Sequence, residues 1–88
     1  MQYILNLELN FIYNNDMKHG DYETAITGFK NVIRVRPDHA FAHYFSSICY
    51  KKLQDYKNYE INKNEFSVHS KTSFWKNYIK YFDLNINL

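Results

Sequence analysis

The chain has 88 residues, which is room for one small domain and no second core. Hydrophobic residues make up 45% and charged residues 23%, too apolar a balance for a disordered chain. Aromatics reach 19% while glycine and proline number two and one, too few breakers for a β-sandwich or barrel, so long helices joined by short turns are expected.

The N-terminal stretch is ambiguous. Leu5, Leu7, Leu9, Phe11 and Tyr13 alternate with polar residues and with Ile12, as in a strand, yet Leu5, Leu9, Ile12, Tyr13 and Met17 also fit one helical face. A helix is favoured, because the next helix needs a neighbour to cover its stripe. That helix runs from Asp21 to Arg36. Asp21, after Gly20, is a good N-cap, and Tyr22, Ala25, Ile26, Phe29, Val32 and Ile33 recur at spacings of three and four. Pro37 stops it.

Asp38 is expected to cap the following helix, whose stripes hold Phe41, Ala42, Tyr44, Phe45, Ile48, Cys49 and Leu53. A helix apolar over more than half its circumference is packed on two sides. Asp55 caps a third helix from Tyr56 towards His69, with a poorer stripe of Tyr56, Tyr59 and Phe66 interrupted by Lys63. A fourth, aromatic helix is expected over 73–83, followed by an alternating Asn-rich tail that also reads as a short strand.

Sliding the chain against itself exposes an offset of 34 residues, which brings Lys18 onto Lys52, Asp21 onto Asp55 and Tyr22 onto Tyr56. Ala25, Phe29 and Pro37 then fall in the A-x₃-F…P spacing, and the segment 20–56 resembles the tetratricopeptide repeat family. The resemblance implies an all-α domain over 1–88 in which antiparallel hairpins, about 3–36 and 39–69, stack as a short superhelix under a capping helix at 73–83. It makes Gly20, Tyr22, Ala25, Phe29, Pro37, Ser47 and Tyr50 the structural positions. Tyr59 and Lys63 depart from it, standing where the family places a packed alanine and an aromatic, so a splayed second hairpin is expected.

The resemblance also implies function. First helices of such hairpins line a groove for an extended peptide or a partner helix. Here that groove falls to Asn10, Asn14 and Met17 in the first hairpin and to Phe41, Tyr44, Phe45 and Ile48 in the second. It reads as apolar and aromatic, suiting a hydrophobic peptide and not an acidic chain end. The same rings fit a second reading equally well, as internal packing or as the contact of a homodimer.

Other functions find less support. No Ser/His/Asp or Cys/His set shares a face and no glycine-rich phosphate loop occurs, so no enzyme and no cofactor are expected. Cys49 lies in an apolar stripe, as a core thiol does. His39 and His43, four apart, form a pair without a third ligand, so no metal is expected there and His39 is expected in a solvated turn between helices. Lys71, Lys76 and Lys80 among Trp75, Tyr78 and Tyr81 could contact nucleic acid, but their spacing is that of the solvated back of a buried face. The net charge of +2 is likewise too small to point to a polyanion. No apolar run approaches the ~18 residues of a membrane span, and the first residues lack the basic and small-residue features of a signal peptide. A cytoplasmic location is the default expectation.

Overall fold

The structure, a computed structural model, describes Leu9 and residues 11–71; the expected capping helix at 73–83, the tail and Asn10 lie outside the described residues. All of the described secondary structure is helical, in a π-helix at Tyr13–Met17 and α-helices α1 (Tyr22–Val35), α2 (Ala40–Lys52) and α3 (Tyr56–His69). The strand reading of the N-terminal stretch fails for its described part, since Leu9, Phe11 and Ile12 are helical and lead into the π-helix. None of the described helices is long and apolar enough to cross a membrane.

The π-helix has a local cause. Asn14, Asn15 and Asp16 are poor helix formers, and the Asn15 side chain donates to the Phe11 carbonyl at 2.9 Å. The ladder here widens to an i→i+5 bond from the Lys18 N–H to the Tyr13 carbonyl, 3.3 Å.

Its end begins a turn that recurs. The Gly20 N–H donates to the Met17 carbonyl at 3.0 Å and the Asp21 N–H to the Asp16 carbonyl at 2.9 Å, the pair of bonds that defines a Schellman motif. The Gln54 N–H donates to the Lys51 carbonyl at 3.0 Å and the Asp55 N–H to the Tyr50 carbonyl at 2.9 Å. Each donor and acceptor stands 34 positions from its counterpart. The caps repeat as well: Asp21 Oδ1 accepts from the Thr24 N–H and Asp55 Oδ1 from the Asn58 N–H, both at 3.3 Å. The 34-residue period is therefore a repeat of turn and cap geometry, beyond a coincidence of letters.

The two turns differ at one point. Gly20 takes φ +79° and Gln54 takes φ +62°, both left-handed. Glycine enters that region freely and glutamine pays a steric cost of about 1 kcal/mol or more. Gln54→Gly is expected to stabilise the fold by about 0.5–1 kcal/mol, and Gly20→Ala to cost about 1 kcal/mol. Beyond its chain neighbours, no atom of the described residues lies within 4 Å of the position a Gly20 Cβ would occupy, so the second cost is one of backbone alone. Urea midpoints of the two variants moving in the same direction would contradict this.

Between α1 and α2 the turn is of another kind. His39, and not Asp38, is the N-cap of α2: its Nδ1 accepts from the Ala42 N–H at 3.2 Å while the ring is fully buried. Asp38 is drawn the other way, into an ion pair with Arg36 Nε at 2.9 Å. That guanidinium, by hydrogen bond and by charge, holds the Asp38 carboxyl below its usual pKa. The sequence expectation that His39 sits in a solvated turn is corrected for the same reason.

The core forms where α2 lies between α1 and α3. Ala25, Ile26, Phe29 and Val32 of α1 meet Phe41, Phe45 and Cys49 of α2, with Phe66 as the one buried residue of α3. Buried residues surround α2, as its sequence demanded, whereas α3 is half-committed, as its interrupted stripe foretold. Of the expected structural positions, Ala25 and Phe29 are fully buried, Tyr22 and Tyr50 pack against the core, and Ser47 is buried with its hydroxyl donating to the Tyr44 carbonyl at 2.6 Å. Pro37 lies in the α1–α2 turn.

Gly28 also has a reason. A Cβ there would stand 2.6 Å from Ile12 Cδ1 and 3.0 Å from Cγ1, so the glycine is the seat on which the N-terminal helix rests against α1. Alanine in mid-helix is worth about 1 kcal/mol over glycine. Gly28→Ala is expected to deliver that gain in an Ile12→Ala background and to lose it in the wild type. A coupling of about 1 kcal/mol in the double-mutant cycle, read by chemical denaturation, would follow; additive effects would contradict the contact.

Candidate functional site

The structure divides the seven residues expected to line a binding groove. Phe41 is 0% and Phe45 1% exposed, so neither offers a surface to a partner. Phe45 packs against Tyr13 (5.2 Å between ring centroids), Phe29 (5.9 Å) and Phe41 (6.2 Å), and Phe41 against Phe66 (5.6 Å). Both are core, and the groove expectation is corrected for them: helical period fixes a face but not what covers it. Asn14 is exposed and lines no hollow described below; Asn10 lies outside the described residues.

Tyr44 and Ile48 remain at the surface. Together with Ser47, Lys51 and Lys52 they form one wall of a cleft of about 850 Å³ between α2 and α3. Tyr56, Tyr59, Lys63, Phe66 and Ser67 form the other wall, and Gln54 lies at the turn joining them. Met17 instead lines a smaller hollow of about 250 Å³ with Tyr13, Lys18 and Tyr22, which shares Ile48 with the cleft. The larger hollow thus lies within the second hairpin and not between successive first helices.

Tyr59 explains the cleft. At the place where the resemblance calls for a packed alanine, a ring stands in the wall of a cavity between the two helices. Lys51 Nζ lies 5.5 Å and Lys63 Nζ 5.6 Å from the centroid of that ring, one cation from each helix. Lys51, Lys52 and Lys63 make no ion pair among the described residues, and no carboxylate lines the cleft there. The cleft is therefore basic as well as aromatic, which corrects the expectation of a purely apolar groove. Lys63 was legible in the sequence only as an interruption of a stripe.

Burial, with Tyr13 beside it, pushes the Tyr44 phenol above its usual pKa, so its hydroxyl stays a hydrogen-bond donor. Cys49 is fully buried and its thiol is pushed up to about 12, which leaves it without the thiolate a nucleophile requires. His39 and His43 do not converge as metal ligands: His39 Nδ1 serves the cap, while the His43 nitrogens face the Pro37 carbonyl at 2.8 Å and Asn62 Oδ1 at 3.2 Å.

No family model matches the chain, and neither a curated protein nor a solved structure matches it.

Proposed function

We propose that the protein is a non-catalytic interaction module of tetratricopeptide-like build, and that the α2–α3 cleft receives a short extended peptide combining acidic residues with an apolar anchor. The observation that carries this reading is the cleft lining, in which Tyr44, Ile48, Tyr59 and Phe66 supply apolar surface and Lys51, Lys52 and Lys63 supply positive charge that no carboxylate of the described residues pairs. A volume of about 850 Å³ is in the range of ligand-binding clefts. The 34-residue repeat of caps and turns supports the family-like build. A stiff hairpin presenting a preformed cleft binds without ordering loops, which favours affinity.

The test is fluorescence anisotropy with short acidic peptides bearing one Phe or Leu, against peptides with the acids replaced by Gln or Lys. Acidic peptides are expected to bind, to weaken as salt rises from about 50 to 500 mM, and to be lost in Lys51→Glu and Lys63→Glu. Light scattering is expected to show a monomer. Tight binding of a single-stranded oligonucleotide in preference to the peptides, or a dimer that closes the cleft, would overturn the proposal.

A further inference from the structure

At the opposite end of the α2–α3 hairpin from the Lys51 cation, His43, Glu65 and His69 converge, with ligand-capable atoms all within 4.8 Å of one another. Glu65 and His69 stand one helical turn apart on α3, Glu65 Oε2 lying 3.1 Å from His69 Nε2. The His43 and His69 rings stack at 5.8 Å with 21° between their planes.

The setting of His43 points to a cation. The Pro37 carbonyl has no proton to give, so the 2.8 Å contact to His43 Nε2 places the proton on that nitrogen. The lone pair of a neutral ring is then on Nδ1. Asn62 faces Nδ1 at 3.2 Å with its oxygen, because its amide nitrogen donates to the Asn58 carbonyl at 2.9 Å. In a neutral ring, two lone pairs meet there in a largely buried position, and a positive centre between them, a proton or a metal ion, removes the conflict; the nearby Glu65 and His69 supply the further donors that a metal ion needs and a proton does not. A ring N–H donated to a backbone carbonyl, with the second nitrogen free, is also how metal-ligating histidines are oriented.

We propose that His43 Nδ1, Glu65 and His69 bind a divalent transition-metal ion of the zinc class, with Asn62 Oδ1 or water at the fourth position. Two imidazoles and a carboxylate are a borderline N/O donor set that suits zinc, cobalt or nickel over calcium or magnesium. A tetrahedral ion at ~2.0–2.1 Å from each ligand holds them ~3.3 Å apart. Glu65 and His69 already meet that spacing, and both have solvent-exposed side-chain surface with which to close on His43. The bound ion staples α2 to α3 below the cleft.

The experiment uses the full untagged chain, stripped with a chelator and titrated calorimetrically with Zn²⁺, with Co²⁺ as an absorbance probe and thermal unfolding as second readout. One ion per chain at micromolar affinity or tighter, tetrahedral cobalt bands and a Tm raised by several degrees are expected. His69→Gln and Glu65→Gln, on partly exposed side chains, should each weaken binding at least about tenfold while leaving the metal-free Tm nearly unchanged. His19→Gln, on the exposed histidine at the end of the first helix, should change nothing. Absence of saturable binding, binding that survives His69→Gln, or binding lost in His19→Gln would overturn the site.

Discussion

Phe45→Ala is expected to cost about 3–5 kcal/mol and to leave little or no cooperative unfolding transition. The ring joins three segments, touching Tyr13 of the π-helix (5.2 Å), Phe29 of α1 (5.9 Å) and Phe41 of α2 (6.2 Å), and only 1% of it is exposed. Truncation removes the transfer energy of the ring and opens a cavity that rigid helices cannot close. A chain of this size has a total stability at the low end of about 5–15 kcal/mol, so most of it would go. Tyr44, one residue away, is half-buried and lines the cleft, and its truncation is expected to cost about 1–2 kcal/mol. Urea denaturation followed by circular dichroism separates the two. Equal, small losses for both variants would mean that Phe45 is not the keystone of the core.

Stability is expected to fall by about 3 kcal/mol between pH 6.5 and 4 on account of His39 alone. Burial, aided by the Arg36 charge, lowers its pKa from 6.5 to about 4, against the opposing effect of Asp38. Desolvation is the larger cause, and geometry agrees with it: Nδ1 accepts the Ala42 N–H, and protonation there would break the cap of α2. The sign follows from proton uptake. Between pH 4 and 6.5 the unfolded chain takes up a proton that the folded chain refuses, so stability is complete above 6.5 and declines as pH falls to about 4. The Arg36–Asp38 pair adds its own loss at lower pH, because the Asp38 pKa is depressed below its ordinary 3.8. His39→Asn keeps a capping oxygen but cannot titrate, and should flatten the curve in this window. Denaturant midpoints in chelator-treated samples at several pH values provide the measurement, and a curve unchanged by the substitution would refute it.

Much of this fold is written locally. Asp21 and Asp55 each bond an amide three residues ahead, and a Cβ on the left-handed Gly20 would meet no described residue beyond its chain neighbours, so composition within one turn of helix was enough to reveal them. The split character of α2 and α3 was legible for a similar reason, since period reports how much of a helix must be covered.

What escaped the sequence depends on distant partners. Gly28 is explained by Ile12 from another helix, which no pattern around Gly28 encodes. His39 displaces Asp38 as cap because Arg36 engages the aspartate and the fold buries the imidazole. Phe45 and Tyr44 read alike as neighbouring aromatics, and only the packing of Tyr13 and Phe29 over one of them tells core from cleft. The Lys63 charge became informative once α3 was seen to set it across from Lys51, with the Tyr59 ring between. Glu65 and His69 carried a readable spacing of four, but the third member, His43, comes from the preceding helix.

The most direct test of the proposed peptide site is a two-dimensional ¹H–¹⁵N NMR titration of the full chain with an acidic peptide carrying one Phe. Saturable shifts are expected for the amides of Tyr44, Ile48, Lys51, Tyr59 and Lys63, which line the cleft, with those of Asn14 and Lys30 unmoved. Shifts centred on any other face, or none at peptide concentrations up to about 1 mM, where binding would be weaker than about −4 kcal/mol, would contradict it.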